Sequence, residues 1–503
     1  MVKRAGNVML EVAMNSSANI PLHRQLYMAI KGLILDGRLR PGSRLPSTRT
    51  IADDLKLSRT TVLNAFEQLS LEGYLEGKVG SGTQVARSIP GDLERFTKQG
   101  KARLPDSRRK PRISWRARQY SPADLTFLHT PPRPLRPGVP DMGLFPLKLW
   151  SRLAAKHWRQ ARDHFAQFAD PSGYGPLREA ICDYVSRMRA VRCEPAQVLI
   201  VEGAQQALYL CAHALLDSDE SVWMEDPGYP RARAAFVGAG LKIIPVPVDS
   251  EGLVVSAGKK KEPNPKLVYV TPSFQCPLGI MMSLARRFEL LRLAKQENTW
   301  ILEDDYFSEY RYGSNPAASL QSLDRSERVI YIGNFSKSIV PFLRIGFMIV
   351  PSALINVFKR TRSMMSRQPP GVDQAALAEF IGEGHLERHV RVTLELYRER
   401  QETLVDAIHD KANGILEASP EGTGMYLVAW LKPGVNDRAV AKVASAHGVD
   451  VVPLSAFAMR HLKREGLLMG YSAYNPNSIR AAVERLCASI SRKQFVRVTS
   501  ERY

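Results

Sequence analysis

NFSKSIVPFLRIGF, residues 334–347, follows directly on the strand-like run VIYIG at 329–333. A strand that ends in a polar turn delivers its side chains to one edge of a sheet, and this turn carries Lys337. Lysine is the side chain that condenses with an aldehyde. A desolvated lysine flanked by a second cation does so at neutral pH. Seven residues on, Arg344 offers a planar fork that suits a phosphate, and Ser336 and Asn334 add donors. The stretch therefore reads as the anchoring edge of a site for a phosphorylated aldehyde.

The flanking sequence extends that reading. TWILEDDY, 299–306, is a strand that brings Asp304 and Tyr306 to its carboxyl end. A carboxylate there keeps a pyridine nitrogen protonated, and a tyrosine hydroxyl bonds a ring oxygen. VLIVEGAQQAL, 198–208, is a strand, a glycine turn and a helix start. The free N–H groups of Ala204 and Gln205 make an anion site for a phosphate. Tyr229, in EDPGYPRAR at 225–233, is placed to stack on an aromatic ring. These are the residue types that pyridoxal 5'-phosphate needs, in a suitable order. Strand-like runs at Val198–Val201, Val222–Met224, Leu267–Val270, Thr299–Leu302, Val329–Ile332 and Phe347–Val350 alternate with longer helical patterns. That is the pattern of an α/β domain, over 123–503.

The N-terminal region has a different grammar. PLHRQLYMAIKGLILD, 21–36, sets Leu22, Leu26, Ile30 and Leu33 on one helical stripe, which Gly37 and Pro41-Gly42 stop. Ser47 caps a short helix with Ile51, Ala52 and Leu55 inward, and Ser58 caps a third with Val62, Phe66 and Leu69 apolar. Two short helices across a tight turn form a helix-turn-helix, whose second helix presents Arg59, Thr60, Thr61 and Asn64 outward. Arginine and asparagine make paired hydrogen bonds to base edges, and serine and threonine hydroxyls suit phosphates. YLEGKVGSGTQVAR, 74–87, then reads as a hairpin wing turning at Gly80, Ser81 and Gly82.

Bulk properties agree. The 503-residue chain carries a formal charge of +20, with 44% hydrophobic and 24% charged residues. Such a basic excess favours polyanions. The longest apolar stretch, Val198–Leu216, is interrupted by Glu202, Gln205, Gln206 and His213, so no membrane segment is expected. The N-terminus lacks a sustained apolar run, and five widely spaced cysteines suggest neither a disulfide framework nor a metal site. A cytoplasmic location is expected. The expected organisation is an N-terminal extension at 1–19, a winged helix-turn-helix at 20–86, a basic flexible linker at 87–122 and the large domain at 123–503. The linker contains KQGKARLPDSRRKPRISWRARQYSP.

PLHRQL, GRLRPGSRLPSTRTIADDL, LSRTTVLNAFEQLSLEGYLE and GSGTQV, in this order, resemble the GntR family of winged-helix regulators. The resemblance implies contact with a double-stranded DNA operator by Arg44, Ser47, Arg49, Ser58, Arg59, Thr60, Thr61 and the Gly80–Gly82 wing. The large domain resembles fold type I aminotransferases, and the fusion resembles the MocR group of transcriptional regulators. It implies a mostly α winged helix-turn-helix joined to an α/β pyridoxal-phosphate-dependent transferase fold. That fold has a mixed central sheet with helices on both faces and a smaller α+β subdomain. The resemblance makes Lys337 the aldimine lysine, and sets Asp304 on the pyridine nitrogen, Tyr306 on the phenolic oxygen and Arg344 on the phosphate. It also implies a head-to-tail, domain-swapped homodimer and a small-molecule effector, either pyridoxal phosphate itself or an amine or small anion.

Several positions depart from the family pattern. Phe168 stands where a tyrosine usually reaches the partner's phosphate, Glu202 where a small hydroxyl residue is common, and Asn334 for a usual Ser or Thr. In TPSFQCPLG, Phe274, Cys276 and Leu278 deviate while Gln275 and Pro277 remain. Leu468, in GLLMGYS, aligns with the arginine that clamps a substrate carboxylate. Arg231 matches a second anion-binding arginine, and with Gln275 it is the expected effector contact. Losing the clamp weighs against efficient transamination and leaves cofactor binding intact. The leading reading is a regulator that senses through the aldimine at Lys337. Its alternatives are an active aminotransferase with an autoregulatory DNA-binding domain, and a regulator whose large domain only dimerises.

Overall fold

The computed structural model describes residues 14, 20–78, 82–88, 112–119, 131–162, 170–307, 309–313, 318–412, 414–420 and 422–491. The chain divides into two compact units, 1–112 and 113–503.

The first unit is a winged helix-turn-helix. Helices α1 (Leu22–Leu35), α2 (Thr48–Asp54) and α3 (Arg59–Leu71) precede the antiparallel pair β1 (Leu75–Lys78) and β2 (Gly82–Val85). Leu26, Ile30 and Ile34 are fully buried on α1 and pack with Val62, Phe66 and Leu69 of α3. The buried stripe thus follows i, i+4, i+8 to Ile34, and Leu33 is only partly buried. Both serine caps form: Ser47 Oγ accepts from Thr50 N and Ser58 Oγ from Thr61 N, each at 3.1 Å. The backbone of 42–45 lines the wing as a further extended segment, with Leu45 N donating to Thr83 O and Val85 N to Ser43 O.

In the second unit an eight-stranded sheet runs in the order β3-β10-β9-β8-β7-β4-β5-β6. Its strands are β3 (Val198–Val201), β4 (Ser221–Asp226), β5 (Lys242–Asp249), β6 (Gly252–Leu253), β7 (Leu267–Val270), β8 (Trp300–Asp305), β9 (Val329–Asn334) and β10 (Gly346–Ile349). β4, β5, β7, β8 and β9 are parallel, while β10 is antiparallel to both of its neighbours. The near-continuous apolar runs follow from burial of both faces. In β7, Leu267 and Tyr269 enter one core while Val268 and Val270 enter another, and β4 divides in the same way. A smaller antiparallel sheet, β11-β12-β14-β13, completes the unit with β11 (Leu416–Glu417), β12 (Tyr426–Leu431), β13 (Val452–Pro453) and β14 (Gly466–Gly470).

The expected flexible linker needs one correction. Residues 115–119, inside it, form a short exposed helix against helix Pro230–Gly238, and the Arg116 guanidinium lies beside Gly240 and Ser218. Two of the cysteines also meet, since Cys182 and Cys193 place their sulfurs 3.0 Å apart as free thiols. Among the described residues no group of side chains suited to a metal ion is found, and no helix is long and apolar enough to cross a membrane.

Candidate cofactor site and DNA-reading helix

The carboxyl ends of the parallel strands converge on one cavity of about 210 Å³, far larger than a water needs. Its wall includes Ala204, Tyr229, Asp304, Tyr306, Asn334 and Lys337. They arrive from four strand ends, those of β3, β4, β8 and β9, which is why residues 133 positions apart in sequence, such as Ala204 and Lys337, share one wall.

Lys337 follows β9, and its Nζ donates to the Gly138 carbonyl at 2.5 Å. Burial, helped by the nearby Arg231 charge, pulls its ammonium down to about 8. A sizeable neutral fraction therefore exists near neutral pH, as a nucleophilic amine requires.

The two adjacent aspartates of β8 have opposite fates. Asp304 Oδ2 accepts from Tyr269 OH at 2.7 Å, while its Oδ1 is buried with no hydrogen-bond partner. Burial pushes this carboxyl up to about 7, against the lowering effect of the Tyr269 bond. Asp305 points the other way, bonded by Arg189 Nε at 2.7 Å and Tyr331 OH at 2.6 Å. Burial would raise it too, but Arg189 leaves it below the ordinary aspartate value. Asp305 Oδ1 is also buried without a partner, but of the two carboxylates only Asp304 lines the cavity and can offer its oxygen to a ligand there.

Across the cavity, Tyr306 OH lies 3.1 Å from Tyr426 OH. Cys276 hydrogen-bonds to both tyrosines, and burial keeps it a thiol with its pKa up to about 12. At the far end, helix Ala204–Leu215 begins after Gly203, whose φ is 91° and which supplies no side-chain cap. Arg344, itself left-handed with φ 52°, donates from its guanidinium to the Glu202 carbonyl at 2.7 Å. A Cβ on Gly203 would sit 3.3 Å from that guanidinium. Helix N–H groups, a glycine and an arginine thus form a cradle for an anion. Asn334 Oδ1 accepts from Ser336 N at 3.2 Å, which fixes the turn beside Lys337.

The residues fit pyridoxal phosphate at each end. Asp304 Oδ1 suits the ring nitrogen, Tyr306 the ring oxygen, Lys337 the aldehyde, and the Arg344–Gly203 cradle with Ala204 and Gln205 the phosphate. Tyr229, the residue before helix Pro230–Gly238, supplies a ring in the wall.

The two expected effector residues lie elsewhere. Gln275 is 1% exposed, its Nε2 donates to the Pro227 and Cys276 carbonyls, and its Oε1 accepts from Leu278 N. Its amide is therefore used internally and offers nothing to a ligand. Arg231 is exposed on the first turn of helix Pro230–Gly238, outside the cavity lining. Reading the sequence missed Gly138, Tyr269, Thr271, Tyr426 and Phe457, which also line the cavity. Gly138 carried a signal, a glycine among prolines in RPGVP, whereas the tyrosines resemble ordinary strand residues.

In the first unit, Arg44, Ser47, Arg49, Ser58, Arg59, Thr60 and Asn64 are exposed and Thr61 is half-buried. The Arg44 guanidinium lies 3.4 Å from where a Cβ on Gly82 would be, so it rests against the wing. Gly80 and Ser81, like Phe168, lie outside the described residues.

Two family models match: bacterial regulatory proteins of the gntR family over 22–85, and class I and II aminotransferases over 141–486. The probable rhizopine catabolism regulatory protein MocR of Rhizobium meliloti is 37% identical over 476 residues, covering 94% of this chain and 95% of that protein. The chain belongs to the MocR-type family of GntR regulators. The pyridoxine biosynthesis regulator PdxR of Corynebacterium glutamicum, another relative, is 30% identical and covers 96% of this chain and 99% of its own. A Pyrococcus horikoshii kynurenine aminotransferase, solved with PMP, superposes with a TM-score of 0.69 at 25% identity, over 80% of this chain and 99% of that one. The MocR-type architecture explains the two units: a DNA-binding winged helix and an aminotransferase-like domain in one chain.

Proposed function

We propose that this DNA-binding regulator holds pyridoxal phosphate in its aminotransferase-like domain, through Lys337, and changes operator affinity when a small molecule occupies that site. The observation that carries the reading is Asp304, a carboxylate with one buried oxygen unpartnered in the same cavity as a lysine near pKa 8. The bound cofactor supplies an electrophilic carbon. The chain's own residues orient it: Asp304 and Tyr306 set the ring, the Gly203 cradle holds the phosphate, and Leu468 and Phe457 close the wall against water.

The effector is the cofactor itself, or an amine or small anion, with Arg231, exposed outside the cavity lining, as the candidate anchor for an anionic group. A ligand can act only by favouring one molecular arrangement over another. A homodimer, head-to-tail and domain-swapped, is the proposed arrangement, acting in the cytoplasm.

The test is an absorbance spectrum of the full-length protein with added pyridoxal phosphate, beside Lys337→Ala, with operator binding followed in the same samples. A visible band in the wild type that is lost in the variant is the expected result. No band even with excess cofactor would leave the dimerisation-scaffold reading in its place.

A further inference from the structure

The cavity has a lopsided wall. Among the described residues that line it, Lys337 is the sole basic side chain, and Asp304 adds a negative one. The rest of the lining is uncharged and largely apolar or aromatic, with Leu468, Phe457, Phe307, Tyr306 and Tyr426.

Leu468 decides the character of that wall. It is 1% exposed at the centre of β14, paired in register with Val428 of β12 and Val452 of β13. Strands on both sides leave it no room to swing away. The aromatic part is equally fixed: ring centroids lie 4.4 Å apart for Tyr306 and Phe307 and 5.7 Å for Phe307 and Tyr426. Its polar atoms are the two tyrosine hydroxyls and the Cys276 thiol, which already bond one another.

A ligand entering beside Lys337 thus meets hydrocarbon, aromatic edges and neutral hydroxyls. A carboxylate, sulfonate or phosphate on that ligand would be desolvated there with no cation in the wall besides Lys337, since Arg231 acts only from outside the lining, and in the field of Asp304. An uncharged carbon body would instead gain by leaving water. We propose that the effector is a primary amine on an uncharged alkyl or aralkyl body, with no anionic group beside the amine. This deepens, and rests on, the reading of the cavity as a pyridoxal-phosphate site.

Matched pairs test it, each differing by one carboxylate: 2-phenylethylamine against L-phenylalanine, and n-butylamine against L-norvaline. Each would be titrated into full-length, cofactor-loaded protein while the cofactor's visible band and the affinity for an operator duplex, selected from random-sequence DNA, are followed. The amines are expected to shift both signals at concentrations at least about tenfold below the acids. Acids equal to or better than amines would overturn the proposal, whether or not Arg231→Ala abolishes their effect. Neither class acting on protein with a normal band would overturn it too. Absence of any band in the wild type would instead overturn the cofactor reading beneath it. Leu468→Arg, which adds a cation to the wall, is expected to reverse the preference in favour of the acids, with Leu468→Met keeping the wild-type order. The wild-type comparison decides the matter even where Leu468→Arg does not fold.

Discussion

Asp304 is under tension in the protein without cofactor, because one of its oxygens is buried and unpartnered and burial raises its pKa to about 7. A carboxyl whose folded pKa exceeds its unfolded value contributes most below the unfolded value, and that contribution falls as pH rises to the folded one. For Asp304 the window runs from its ordinary 3.8 to about 7. Asp304→Asn is therefore expected to stabilise the cofactor-free protein above pH 7 by about 1–3 kcal/mol, while weakening cofactor binding. Denaturant melts with and without pyridoxal phosphate check both halves, and a variant less stable than wild type would refute the first. Lys337 acts in the opposite sense. Its pKa falls from 10.5 to about 8, so the penalty of holding the ammonium is present below pH 8 and is relieved as pH rises towards 10.5. Against Lys337→Met, the cofactor-free wild type should gain about 3 kcal/mol across that window, measurable as converging melting curves. Sequence could propose Asp304 over Asp305 only by family pattern. The physical distinction lies in Arg189 and Tyr331, which come from distant elements to take Asp305.

At the scale of elements, the start of helix Ala204–Leu215 and the start of α3 are the two ends where chemistry meets backbone. Gly203 holds φ 91° against Arg344, a conformation and a spacing that a side chain disturbs together. Gly203→Ala is expected to lower affinity for pyridoxal phosphate at least about tenfold and to leave operator-independent folding of the first unit intact; titration of the visible band measures it. Ser58 caps α3 through Thr61 N. Ser58→Ala should destabilise that helix by about 1 kcal/mol and weaken operator binding. Ser58→Asp should restore the cap yet bind DNA worse still, because its charge faces phosphates. Equal binding by the two variants would remove Ser58 from the interface. Both caps were readable from sequence because a serine before an apolar-periodic run has a local cause. The small sheet was not, since β11 and β13 are two residues long and exist only through pairing with β12 and β14. The helix at 115–119 escaped for a similar reason: basic residues among prolines read as solvated chain, and the contact with helix Pro230–Gly238 is non-local. Gln275 was misassigned because its retained identity said nothing about its direction.

At the scale of the whole molecule, two units with separate hydrophobic cores carry the two binding functions. A regulator of this kind works only if occupancy of one site alters the free energy of the other, and such coupling is reciprocal. If an effector changes operator affinity by some factor, operator DNA must change effector affinity by the same factor. This gives a test that needs no substitution. The effector midpoint, followed by the visible band, should move in the presence of saturating operator by the factor by which saturating effector moves the operator midpoint. Salt separates the coupling from simple charge effects. With a net charge of +20, operator affinity should fall steeply as salt rises, because bound phosphates release counterions. The ratio of affinities with and without effector should change far less, since both states lose the same phosphate contacts. Equal midpoints with and without operator would mean that the two units share a chain without sharing a signal. The cofactor domain would then serve to bring the DNA-reading helices together rather than to instruct them.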